Sequence, residues 1–394
     1  MALDFNWVID RRGTNSEKWK RYGPDVLPLW VADMDFAAPE PILEALRAAA
    51  DHGVFGYEFP SSALYETVAA RMGKLYGWEI SPDMVVATPG MIAGFNAAAR
   101  CACSQGEGIL IQPPVYPPFL SVHKNAALVR QDAPLKMVAE GNVLQYSVDF
   151  DVFEKALDSS NARTAMFLLC NPHNPTGQIY SRSDLVLMAD ICIKKDMIIC
   201  SDEIHSELLL GDVKHTPLAA ISPEIADRTI TLVAPSKTFN IAGLFCAFAI
   251  IPNPDLLRRY KKTLEQMSMH VNSLGLRAAE IAFSGACDEW LAALRDYLLG
   301  NRDYAVEFVK EEINGVRITV PQATYLAWLD CNELVKSGRI KGIPHEFFLK
   351  EARVALNDGM TFGSGGEGFV RLNFGCPRKT LDEALERMRA ALSN

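Results

Sequence analysis

Short unbroken apolar runs, each ending in a knot of polar residues, recur through the middle of this chain. Ala165 to Leu169 leads into Cys170-Asn-Pro-His-Asn174-Pro-Thr-Gly177, and Met197 to Cys200 leads into Asp202-Glu-Ile-His205. Thr229 to Val233 leads into Ala-Pro-Ser236-Lys237-Thr-Phe-Asn240. Runs this short, without polar alternation, predict strands buried on both faces. Met84–Thr88, Gly108–Gln112 and Cys246–Ile251 read the same way. Between them amphipathic stretches predict helices at Ile42–Asp51, Leu64–Tyr76, Met91–Cys103 and Asp184–Lys195, the second closed by Gly77. Strand and helix alternate in this way to about residue 285. That order predicts an α/β fold with a mostly parallel sheet covered by helices on both faces.

Beyond Pro254 a long helical stretch is expected to reach about Asn314, and then the pattern changes. Gly315–Pro321, Thr324–Asp330, Val354–Leu356 and Phe369–Phe374 read as short strands around a helix at Pro344–Arg353, with a closing helix at Thr380–Leu392. This predicts a smaller α+β domain. The first 40 residues have no clear period and read as an arm ending in the turn Ala38-Pro-Glu-Pro41. The division expected is an N-terminal arm (1–45, part of the small domain), a large domain (46–285) and a small C-terminal domain (286–394).

Composition narrows the class. Apolar residues make up 49% of the 394 and charged residues 22%, ordinary for a globular protein with packed cores. A formal charge of −9 argues against nucleic acid as a partner. Nine cysteines with no C-x-x-C pair sit mostly inside apolar runs, as small core residues of a reducing compartment do. Met1-Ala-Leu-Asp4 lacks a basic leader, and no apolar run approaches the roughly 20 residues that span a bilayer. The expectation is a cytoplasmic protein with no membrane partner. None of the seven histidines forms a metal-spaced cluster, so no metal is expected.

The polar knots carry the chemistry. Ligands of open α/β sheets sit at the carboxyl ends of the strands, and three successive strand ends offer an amide (Asn174), a carboxylate (Asp202) and an amine (Lys237). The spacing leaves room for a crossover helix between parallel strands. Together the three suit pyridoxal phosphate: the amide for its ring hydroxyl, the carboxylate for its pyridine nitrogen, the amine for its aldehyde carbon. A lysine in a dry pocket titrates low enough to act as a Schiff-base nucleophile; the plain alternative is an exposed loop lysine. Asn174 and Asp202 also have plain readings, as a turn former and a helix cap. Gly90-Met91-Ile92 marks a strand-to-helix junction whose free N–H groups would cradle a phosphate, with the Ser236 hydroxyl beside it. Tyr116, held in a proline-rich loop, would stack on the cofactor ring; the alternative is a core aromatic. Arg371 lies among apolar neighbours within a strand, and its fork fits an α-carboxylate, or else an internal salt bridge.

Taken together, Asn-Pro-His-Asn174-Pro-Thr-Gly, Ser-Asp202-Glu-Ile-His and Pro-Ser-Lys237-Thr-Phe-Asn resemble the fold-type I pyridoxal-phosphate enzymes of the aminotransferase superfamily. Leu27-Pro-Leu-Trp30-Val-Ala-Asp33-Met-Asp35-Phe36 and Pro113-Pro-Val-Tyr116-Pro-Pro-Phe119 resemble its cystathionine β-lyase-like branch of C–S lyases. The similarity runs from about Phe5 to Arg389. It implies that Lys237 bonds the cofactor and takes the Cα proton, and that His205 supports the ring hydroxyl. It also implies a homodimer with shared active sites, in which Tyr57 reaches the phosphate of the other subunit; packing at that interface is the plain alternative. Many relatives carry an arginine for the phosphate where this chain has Phe245. The activity implied is β-elimination from cystathionine or other S-substituted cysteines, giving pyruvate, ammonia and a thiol. An aminotransferase acting on an α-amino acid is the alternative on the same scaffold.

Overall fold

The apolar runs form strands whose ends are level with one another. The computed structural model describes residues 4–158 and 160–393; the start read as lacking a leader lies partly outside them. In chain order the strands are β1 (Leu27–Pro28), β2 (Val85–Thr88), β3 (Gly108–Ile111), β4 (Val129–Asp132) and β5 (Lys136–Glu140). Then come β6 (Val143–Ser147), β7 (Thr164–Cys170), β8 (Ile198–Asp202), β9 (Thr229–Val233) and β10 (Ala247–Ile250). The last five are β11 (Arg317–Thr319), β12 (Leu326–Asp330), β13 (Val354–Ala355), β14 (Asn357–Asp358) and β15 (Phe369–Asn373).

Seven strands form one sheet in the order β2-β10-β9-β8-β7-β3-β4, parallel except for β10, which runs against both its neighbours. Every residue of β7 and β9 is buried, as their unbroken apolar sequences require once helices cover both faces. Register aligns Cys170 with Asp202 and Asp202 with Leu232, so the polar segments after β7, β8 and β9 leave the sheet side by side. A second sheet of six strands runs β14-β15-β12-β11-β6-β5. The molecule is therefore a large α/β unit with a smaller α+β unit against it.

Two expectations change. The long helical stretch after Pro254 is three helices, Pro254–Gln266, Ser273–Phe283 and Asp288–Glu312. The first break falls where Ser268 turns left-handed (φ 51°), and the second helix restarts with the Asn272 side chain accepting from Gly275 N–H at 2.8 Å. The second change is that the strand–helix alternation is interrupted by the hairpin β5–β6, whose two-residue turn, Gly141-Asn142, reverses the chain without a crossover. β6 then pairs in parallel with β11, Val143 opposite Ile318, so this hairpin extends the second sheet.

The N-terminal segment crosses between the two sheets. β1 pairs with β13, and from there residues 29–36 run as a strap held by two asparagine amides. Asn373 donates to the carbonyls of Val31 (2.6 Å) and Asp33 (2.7 Å), and Asn240 to those of Met34 (2.9 Å) and Phe36 (2.7 Å). A buried charge cluster lies under the strap. Lys18 Nζ meets Asp35 Oδ2 at 2.7 Å, and Trp19 Nε1 (2.8 Å) and Arg11 (2.7 Å) both donate to Asp35 Oδ1. Arg11 also reaches Asp33 at 2.8 Å.

Candidate active site

The loop after β7 is knit tightly before it delivers Asn174. His173 N–H donates to the Gln178 carbonyl and Gly177 N–H to the His173 carbonyl, both at 2.8 Å. Gly177 has φ 73°, and a Cβ there would stand 2.5 Å from Pro321 Cβ, so only glycine lets this turn close against the second unit. Asn174 emerges buried, its Oδ1 accepting from Arg371 at 3.0 Å.

Arg371 comes from the other sheet, at the centre of β15. Its guanidinium also donates to the carbonyl of Trp30 (2.8 Å) and to Asn357 Oδ1 (2.6 Å), and it lies over the Phe362 ring at 5.0 Å. All these acceptors are neutral, and no Asp or Glu pairs with it among the described residues, so the internal salt bridge is not formed. Its buried Nε has no hydrogen-bond partner. Burial without a counter-charge lowers its pKa to about 10.

Lys237 stands in a single helical turn, Pro235–Thr238, directly after β9. Its Nζ donates to the Ala32 carbonyl of the strap at 2.6 Å, and the Tyr325 hydroxyl donates to the same oxygen at 2.8 Å. Burial, and after it the Arg371 charge, bring its amine down to about 8, with Asp33 and Asp202 opposing. Such an amine gives up a proton near neutrality and serves as nucleophile and base.

Asp202 ends β8, almost wholly buried, and its Oδ1 accepts from Ile204 N–H at 3.1 Å. Burial raises its carboxyl to about 7; the Ile204 N–H lowers it, Glu203 raises it and Lys237 lowers it. A second cation at this carboxylate would hold it ionised. His205 is buried, its ring edge-on to Tyr325 at 6.1 Å and its Nδ1 without a partner. Burial, with the charges of Lys237 and Arg371, lowers it to about 3, so it stays neutral. Burial raises the Tyr116 hydroxyl to about 12, with the Asp202 charge adding to the shift and the Arg371 charge opposing it.

The residues around the Gly90 turn are less engaged. Gly90 (φ 92°) turns the chain into the helix Met91–Ala102, whose N-terminus no side chain caps; Met91 is buried and Ile92 exposed. Ser236 Oγ donates to the Cys246 carbonyl at 3.3 Å, so it must rotate to donate to a phosphate. Phe245 is exposed, its ring 3.5 Å from where a Gly90 Cβ would be. Tyr57 does not join its own chain's site and is fully exposed beside exposed Val54, Phe55 and Phe59.

The chain thus brings together Lys237, Asp202, Asn174, His205, Tyr116 and Arg371. Gly90-Met91-Ile92 stand at an uncapped helix start, Ser236 is turned to the Cys246 carbonyl, and Tyr57 lies outside. An amine near neutrality, a buried carboxylate with room for a cationic partner and a buried fork lacking its anion fit pyridoxal phosphate bearing an amino acid. Ala32, Tyr325 and Asn357 belong to this arrangement and were not singled out from sequence. A carbonyl oxygen has no sequence signature, Tyr325 falls in a run that reads as a plain core strand, and Asn357 lies just past the expected strand Val354–Leu356.

Residues 24–388 match the family model for aminotransferase class I and II. Cystathionine β-lyase PatB of Bacillus subtilis (strain 168) is 38% identical, over 99% of this chain and 100% of its own length. Cystalysin from Treponema denticola, whose crystal structure contains pyridoxal 5'-phosphate, superposes with a TM-score of 0.92 at 33% identity, over 100% of this chain and 99% of its own. The pyridoxal-phosphate-bound C–S lyase from Staphylococcus hominis gives 0.92 at 31% identity, with the same coverage.

Proposed function

The chain belongs to the class I and II aminotransferase family, in its cystathionine-lyase branch, and from that premise we propose how its residues carry out β-elimination on S-substituted cysteines. The protein is a pyridoxal-phosphate-dependent C–S lyase acting on cystathionine-like substrates. One observation carries the assignment of roles. The level ends of β7, β8 and β9 offer Asn174, Asp202 and Lys237 to a single crevice, and Arg371, lacking any carboxylate, closes it from the second sheet.

Lys237 would hold the cofactor covalently, with Asp202 for its pyridine nitrogen, Asn174 for its ring hydroxyl and neutral His205 as support. The Tyr116 ring would stack on the cofactor. Gly90, Met91 and Ile92 would hold the phosphate through backbone N–H groups, helped by Ser236. When bound, the cofactor supplies an electron sink that makes the substrate Cα–H acidic. The Arg371 fork takes the substrate α-carboxylate and so fixes Cα beside the lysine. The Lys237 amine removes the Cα proton; the Cβ–S bond breaks with its electron pair on sulfur, and the resulting thiolate takes up a proton and leaves as the thiol. Water completes the balance, releasing pyruvate and ammonia. Ala32 O, which accepts from both Lys237 and Tyr325, keeps the released amine in the site.

The reaction is tested by supplying L-cystathionine without a keto-acid acceptor and assaying pyruvate. Pyruvate release by the wild type and not by Lys237→Ala is expected, with borohydride fixing the cofactor to the Lys237 peptide. Consumption only when an acceptor is added marks a transaminase instead.

The functional unit is a homodimer with shared sites. Val54, Phe55, Tyr57 and Phe59 present an apolar ridge beside a cavity of about 860 Å³ reaching to His270 and Asn272. A second copy covering that ridge would bring Tyr57 to the neutral phosphate cradle of its partner.

A further inference from the structure

Successive residues of a strand point to opposite faces. At the tip of β8, Asp202 faces the crevice while Ser201 and Glu203 face the other way, into the core behind the sheet. Glu203 is a second buried carboxylate next in sequence to the one that serves the cofactor, and nothing in the reaction uses it. Three donors converge on it. Ser201 Oγ (2.8 Å) and Leu218 N–H (3.0 Å) donate to Oε1, and His215 Nε2 lies 2.7 Å from Oε2. The side chains of Glu203 and His215 are 1% and 0% exposed.

The surrounding charges leave Glu203 one source of compensation. Arg71, a buried cation, is taken by Glu207 at 2.8 Å and Asp288 at 3.0 Å. Tyr76 packs edge-on against His215 at 5.6 Å and carries no charge to offer. Lys237 lies on the crevice side. A bare carboxylate in a dry core costs several kcal/mol and acts on every neighbouring charge at low dielectric. Asp202 is one residue away and is the charge this field reaches.

We propose that His215 is a positioning residue for Asp202: by donating from Nε2 to Glu203, it offsets the charge of the inner carboxylate of β8 that would otherwise act on the one facing the cofactor's ring nitrogen. The inference rests on the pyridoxal-phosphate reading above and adds to it a device outside the crevice. The buried Nδ1 of His215 has no hydrogen-bond partner, so its tie to this core runs through Nε2 alone.

A double-mutant cycle separates screening from packing. Cofactor dissociation constants would be measured by absorbance titration of apoprotein for wild type, His215→Leu, Glu203→Gln and the double variant, with melting temperatures as a fold control. Removing the imidazole should weaken cofactor binding about tenfold. Glu203→Gln alone should stay within about threefold of wild type, because a neutral amide needs no screening. The double variant should return to within about threefold, although it restores none of the lost packing. Should His215→Leu not fold, His215→Phe, which keeps an aromatic ring but offers no donor, takes its place in the cycle with the same expectation. The proposal is overturned if the double variant binds as weakly as the single one, or if the folded single variant binds like wild type. Wild-type protein that binds no pyridoxal phosphate would sink the functional reading itself, a separate outcome.

Discussion

Burial moves the two central titrating side chains towards neutrality from opposite directions, and the signs make a prediction about the cofactor-free protein. Asp202 titrates at about 7 when folded and near 3.9 when unfolded. Between those values the folded chain keeps a proton that the unfolded chain has lost. The stability tied to Asp202 is therefore full below about pH 4 and lost as pH climbs through 7. Lys237, at about 8 folded against about 10.4 unfolded, imposes a penalty that is full below 8 and fades above it. Asp202→Asn apoprotein should accordingly gain on the wild type in melting temperature as pH rises from 5 to 8. A gap that stays constant would mean the carboxyl is not raised. At this scale the sequence is informative: Asn174, Asp202, Lys237 and Arg371, which the fold brings together, each stand out as a polar group where an apolar strand ends or runs. Ala32, Tyr325 and Asn357 were not legible, since their parts depend on where two distant segments meet.

The strap is the element on which the site leans. Its sequence, Trp30-Val-Ala-Asp33-Met-Asp35-Phe36, resembles the family's, but the sequence alone gives its acids no physical role. Asp35 answers for them: burial would raise its carboxyl, yet Lys18, Trp19 and Arg11 together hold it below the usual range. Asp35→Ala leaves Lys18, 1% exposed, without that partner, and should cost about 3–5 kcal/mol. The fall would be read from a denaturant midpoint; a change under about 1 kcal/mol would mean that Asp33, 3.5 Å from Lys18, takes over. Helix starts and buried strands were legible from local chemistry. The hairpin β5–β6 was not placed, because a strand's own residues do not say which sheet it joins; the pairing of Val143 with Ile318 is decided 175 residues later. The break at Ser268 was missed for a related reason, since a non-glycine left-handed residue gives no signal in sequence.

For the whole molecule, the test is whether one crevice draws on two chains. If Tyr57 serves its partner, mixing Tyr57→Phe and Lys237→Ala subunits creates heterodimers with one intact site, and lyase activity should recover towards half that of wild type per heterodimer. If it serves its own chain, each hybrid site keeps one defect and nothing is regained. The way the crevice is gathered also sets an order of birth. Ala32, Lys237 and Arg371 emerge from the ribosome in that sequence, and β1 has no partner strand until β13 is made. At about 5–20 residues per second, that partner follows roughly 16–65 s behind it. From residue 237 to residue 371, about a third of its own synthesis, the nascent chain therefore carries the reactive lysine without the arginine that would select its substrate, and only a nearly finished polypeptide has anything to catalyse with.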